Sequence, residues 1–138
     1  MALATPYQNY RQQQISTASQ DKLLLMLFDG AIRFCNQAKL ALEEKKFEEA
    51  NINLIKAQNI VQEFMITLDM EYEISHRLLP LYEYFYSRLV EANLKKDQQI
   101  LAEVMSFLND LRMTFAECSL KARTAQPMMM TGGATLEG

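Results

Sequence analysis

Glycine and proline are nearly missing from the middle of this chain of 138 residues: only Gly30 and Pro80 fall between Arg11 and Gln126. Hairpin turns draw on glycine for their positive φ angles, so a sheet architecture has little to turn on here. Histidine occurs once, as His76, which leaves no second imidazole for a paired-ligand site. A run of about 18 apolar residues, enough to cross a bilayer, is absent. So is the basic, apolar, small-residue order of a signal peptide, and the sequence reads as cytoplasmic, without membrane insertion. A basic excess is lacking too: the net charge of -3 offers no cationic face to neutralise phosphates, which argues against nucleic acid as a partner. Cysteine is limited to Cys35 and Cys118, both at core-facing positions of the helical pattern described next. A thiol there acts as a small hydrophobe, and both are expected to stay free.

What is present is a composition 49% hydrophobic and 22% charged, the balance of one folded globular domain. Residues 1–18 read as a flexible N-terminal arm whose apolar hooks are Tyr7, Tyr10 and Ile15. Ser19 stands where an N-cap belongs, with Asp21 in the first turn that follows. The first helix runs to about Glu44 on a seam of Leu24, Phe28, Ala31, Cys35, Ala38 and Leu42, spaced in fours and threes. A second, from Phe47 to Leu68, repeats the spacing with Ala50, Leu54, Ala57, Val61, Phe64 and Leu68. After a connection near Met70 to Ser75, a third helix begins near Pro80 or bends there, because proline lacks the amide hydrogen a helix interior needs. Asp97 is placed to cap a fourth helix, with a seam of Leu101, Val104, Leu108, Leu111, Phe115 and Cys118. Beyond Arg123 the periodicity ends, and 124–138 reads as a disordered tail. Four helices joined by short connections predict an all-α, antiparallel four-helix bundle over 19–123.

Chemistry is sparse. Glu73-x-x-His76 has the spacing of one half of a di-metal site, but the second half is missing; a solvated residue at a helix start is the ordinary reading. Ser75 and Ser87 lack the strand-turn-helix context of a catalytic serine. The one glycine inside the domain, Gly30, lies mid-helix and fits close approach of a neighbouring helix better than a phosphate loop. Glu43, Glu44, Glu48 and Glu49 fit a solvated corner. No enzyme, cofactor or metal site is expected.

Apolar residues, in contrast, exceed what four seams need. Leu25, Phe34, Ile52 and Ile55 lie off the seams, and the third helix carries four aromatics within five positions. At 100° per residue, Tyr82, Phe85 and Tyr86 share the core side and its margin, while Tyr84 points nearly opposite. The candidate partner-binding residues are therefore Tyr7, Tyr10, Ile15, Leu25, Ile52, Ile55, Tyr82, Tyr84 and Tyr86, with Tyr84 foremost among the aromatics of that helix. A groove for a peptide or helix, a homodimer face, and a wide core are the three readings of this excess.

Tyr7-x-x-Tyr10, the run Leu23 to Ala31, Lys56-Ala57, Ile60-Val61, Leu68-Asp69, Leu81-Tyr82-Glu83-Tyr84, Arg88-Leu89, Ala92-Asn93 and Asp97 occur in an order that resembles the FliS family of flagellin export chaperones. The chain departs from that pattern by lacking a Gly-Gly pair before Glu73-Ile74, and by having Phe115 where many members have tryptophan. The resemblance implies a bundle that binds the disordered C-terminal segment of flagellin, prevents premature polymerisation and delivers the client to the flagellar type III export apparatus. It also implies that the arm, with Tyr7 and Tyr10, caps the apolar groove and takes part in contact with an export gate component. A self-associating helical adaptor without a flagellin client is the competing reading.

Overall fold

The computed structural model describes the backbone of residues 20–135, with side chains over 21–118 and at Leu120. The arm residues Tyr7, Tyr10 and Ile15 and the expected cap Ser19 lie outside the described residues. The described chain is four helices: α1 Gln20–Glu43, α2 Phe47–Ile66, α3 Glu73–Lys95 and α4 Gln98–Thr135. By internal contact the described chain divides into Met26–Asn109 and a second unit of residues 20–25 with 110–135.

All four helices contribute to the unit Met26–Asn109, and their pairings give its topology. Phe28 stacks on Phe64 with ring centres 4.5 Å apart, and the Lys56 ammonium lies 5.4 Å from the ring centre of Phe34. Numbers therefore rise along α1 as they fall along α2. Asn51 meets Asn93 and Gln62 meets Tyr86, which sets α2 against α3 in the same sense. Phe85 meets Phe107 and Arg88 meets Glu103, which does so for α3 and α4. The result is the antiparallel four-helix bundle expected from the short connections.

Inside, the aromatic rings form a chain: Phe28 on Phe64, Phe64 on Tyr82 at 5.1 Å, and Tyr82 beside Phe85 at 6.4 Å. Leu54, Val61, Leu89, Leu101, Val104 and Leu108 fill in around them, all essentially inaccessible to solvent. Small residues at Ala31, Ala38, Ala50, Ala57 and Ala92 are buried as well and let the helices approach. Gly30 belongs to this group. A Cβ built there would sit 3.2 Å from Cδ1 of Ile60, so the close approach of α2 explains the glycine.

The helix ends show local chemistry at work. At the end of α1, Lys45 takes a left-handed φ of 60°, with its N–H donating to the Leu42 carbonyl and the Lys46 N–H donating to the Ala41 carbonyl. This is a Schellman closure made with lysine where glycine is usual. Lys96 repeats the left-handed geometry after α3, at φ 51°. Asp97 then caps α4 as expected, its Oδ1 accepting from Gln99 N at 2.8 Å and Ile100 N at 3.2 Å.

Two boundaries differ from expectation. α3 starts at Glu73, seven residues ahead of Pro80, which lies inside it. The lost amide removes only one rung of the ladder, and buried Ser75 and Tyr82 hold the helix on either side. The connection ahead of it occupies 67–72, earlier than expected, because Thr67 closes α2 by donating its hydroxyl to the Glu63 and Phe64 carbonyls.

In the second unit Leu23 is buried, while Leu24 and Leu25 are half-buried. On its α4 segment Leu111 and Phe115 are half-buried, and Met113, Cys118 and Leu120 are exposed. The spacing of the α4 seam places Cys118 on a core face; burial instead fades along the second half of that seam, and the residue is open to solvent. Cys35 is buried, and neither cysteine forms a disulfide. The α1 seam is also wider than its spacing suggested, since Leu23 and Leu27 are buried and Leu24 is only half so.

Candidate functional site

The aromatics of α3 separate by helical angle. Tyr82 is 1% exposed, and burial raises its phenol pKa to about 12. It shares an inward stripe with Phe85, Leu89 and Ala92, so this candidate offers no surface to a partner and belongs to the core. Tyr86 lies at the margin, half-buried, its hydroxyl accepting a hydrogen bond from Gln62 Nε2 at 3.4 Å.

Tyr84 is exposed, on the flank of α3 that faces α4. Its ring meets Phe107 edge-on with centres 6.4 Å apart, and the Arg88 guanidinium lies 5.9 Å from its ring centre. The hydroxyl donates to Glu103 Oε2 at 2.8 Å, and this bond is the main reason that the phenol pKa is raised. Arg88 bridges Glu103 at 3.0 Å and Glu91 at 2.6 Å, and Glu91 also pairs with Lys95 at 2.8 Å. Glu103 is held below its ordinary carboxylate pKa, first by the Tyr84 hydrogen bond and then by Arg88. Glu91 is lowered chiefly by Lys95. A polar network thus seals one edge of the α3–α4 seam around an exposed aromatic pair.

On α2 the surplus isoleucines face outward. Ile52, Ile55 and Ile66 are exposed large apolar residues on one solvent face. Asn51, Ile55, Gln58 and Gln62, spaced by four, three and four, form the α2 flank turned toward α3. Opposite them on α3 stand Tyr86, Val90 and Asn93. The Asn93 amide donates to Asn51 Oδ1 at 2.7 Å and closes this seam at one end. Midway, the Oε1 of Gln58 is buried and accepts no hydrogen bond. Such a surface can hold an amphipathic segment: apolar side chains supply the driving force, and the amides set its orientation.

The structure therefore places the candidates on more than one face. Ile52, Ile55 and Tyr86 border the outer side of α2 and the α2–α3 seam. Tyr84 stands on the α3–α4 edge, and Leu25 is a half-buried residue of the other unit. Phe34 is covered by Arg33 and Lys56, whose cationic groups lie 5.1 Å and 5.4 Å from its ring centre. Sequence reasoning missed Phe107, which the spacing from Val104 makes a seam neighbour and which is nonetheless exposed. It also missed the open depression at the start of α2 lined by Lys46, Phe47, Glu48, Glu49 and Ile52.

Among the described residues no group of three or more histidine, cysteine, aspartate or glutamate side chains could hold a metal ion. His76 Nε2 lies 2.9 Å from the Met70 carbonyl, so the imidazole ties down the connection before α3. No described helix is long and apolar enough to cross a membrane.

Comparison with known proteins places this bundle. The family model of the flagellar protein FliS matches residues 3–122. The flagellar secretion chaperone FliS of Bacillus subtilis strain 168 is 44% identical over 112 residues, covering 81% of this chain and 84% of that protein. The Salmonella typhimurium LT2 protein of the same name is 36% identical over 111 residues, covering 78% and 82%. A solved structure described as a flagellar chaperone from bacteria shares the fold, with a TM-score of 0.71 over 86% of this chain and 98% of that one, at 17% identity. The chain belongs to the FliS family, and its role is that of a chaperone in flagellar export rather than an enzyme.

Proposed function

We propose that this chaperone acts in the cytoplasm on flagellin, binding the disordered C-terminal segment of the client along the outer face of α2 and the α2–α3 seam. In doing so it prevents premature polymerisation and hands the client to the flagellar type III export apparatus. The observation that carries this reading is the exposure of Ile52 and Ile55 beside Tyr86, on a helix whose inner stripe is already fully packed. A segment that orders on binding loses about 2–5 kcal/mol to that ordering, so it needs an extended surface of many small apolar contacts. The α2 face supplies one. Tyr84 with Phe107 is a second place for the same wrapping client. Tyr7 and Tyr10 are assigned to the displaceable arm and to the contact with an export gate component, on family resemblance alone.

The test is calorimetric titration with a synthetic flagellin C-terminal segment. Binding at micromolar affinity or tighter in a one-to-one complex is expected, and Ile55→Glu should weaken it at least tenfold. Absence of any heat or anisotropy change sinks the proposal. Sedimentation of the free protein and the complex separates it from a homodimer, in which the same apolar face is satisfied by a second copy and the peptide leaves the oligomer unchanged.

A further inference from the structure

The connection between α2 and α3 carries a second, differently built surface. Along Asp69-Met70-Glu71-Tyr72-Glu73-Ile74, carboxylates alternate with large apolar side chains. Met70 is 41% exposed, Tyr72 64% and Ile74 55%, and Ile66 just before them is 69% exposed. The flank is acidic, Arg77 is the nearest arginine along the sequence, and among the described residues Asp69, Glu71 and Glu73 make no ion pair.

Looseness does not account for this exposure. Tyr72 N–H donates to the Asp69 carbonyl at 3.1 Å, Glu71 N–H donates to Asp69 Oδ1 at 3.0 Å, and His76 holds the Met70 carbonyl. A hydrogen-bonded connection that exposes apolar side chains loses little further backbone entropy on docking. The carboxylates between them select the sign of the partner.

We infer that the α2–α3 connection is a docking surface for a cationic polypeptide segment, in which lysine or arginine alternates with apolar side chains. The apolar residues of the partner cover Met70, Tyr72 and Ile74 while its cations meet Asp69, Glu71 and Glu73. This site is separate from the α2 face assigned to flagellin, so both can be occupied together.

The test is a ¹⁵N heteronuclear NMR titration with a peptide alternating lysine with leucine and phenylalanine, and with its glutamate counterpart. Shifts concentrated at 69–77 are expected with the cationic peptide and none with the anionic one. Affinity should fall about fivefold or more on going from low to physiological salt, where the screening length shortens to about 8 Å. Glu71→Lys, at a position outside the helices, should abolish binding while leaving the melting temperature and the affinity for the flagellin segment unchanged. The inference is overturned if the shifts gather at the acidic corner of Glu43 to Glu49 or on the α2 face, or if Glu71→Lys binds as well as the parent. Because the flagellin titration is run on the same variant, the two proposals fail independently.

Discussion

Single side chains of this bundle differ in reactivity for reasons that burial and hydrogen bonding supply. Burial pushes the Cys35 thiol up to about 12, whereas Cys118 is exposed. A thiol reagent at neutral pH should therefore modify Cys118 in the native protein and reach Cys35 only on unfolding, which mass spectrometry of a timed reaction would show. The Tyr84–Glu103–Arg88 cluster gives a pH prediction. Because the folded pKa of Glu103 is depressed below 4.5, its stabilisation is complete above the ordinary carboxylate range and is lost as pH falls through the lower folded value. The raised phenol of Tyr84 works in the opposite sense, its contribution being present below pH 10 and lost in alkali. Glu103→Gln should flatten the acid limb of a plot of melting temperature against pH, and an unchanged limb would mean that the cluster is mere surface decoration.

At the scale of the helix, the ends carry measurable free energy. Asp97→Ala removes the acceptor for two amides at the start of α4 and should cost about 1 kcal/mol in urea unfolding. Lys45→Gly relieves a left-handed backbone at a lysine and should stabilise by about 0.5–1 kcal/mol, less if the added chain entropy of glycine dominates. The helices themselves were legible in the sequence because each buries one stripe at a spacing of threes and fours. The α2 seam from Ala50 to Phe64 is buried throughout. Ends were read less well. Pro80 argues locally for a helix start, but packing on both sides of it outweighs one missing hydrogen bond. Cys118 keeps the seam's spacing, yet spacing cannot say how far along a helix the packing extends.

For the molecule as a whole, core and surface variants should separate stability from binding. Phe64 sits between Phe28 and Tyr82, so Phe64→Ala should cost about 3–5 kcal/mol, a large share of a domain's typical stability of about 5–15 kcal/mol. Ile55→Glu changes an exposed side chain and should leave chemical unfolding almost unmoved while it weakens the flagellin complex. If the two variants lose stability equally, Ile55 is part of the core after all. The sequence by itself determined the all-helical class, the number of helices and most of the inner stripe, since few breakers and a regular apolar period leave no other way to bury these side chains. Only the tertiary structure decided which surplus residues were surplus. Tyr82 and Tyr84 are two positions apart and chemically alike, and one became core and the other edge because neighbouring helices enclose one side of α3 and leave the other open. Likewise Phe34 is covered by two cations while Ile52, Ile55, Met70, Tyr72 and Ile74 stay bare. Exposure depends on neighbours distant in sequence, which no periodicity within one helix encodes.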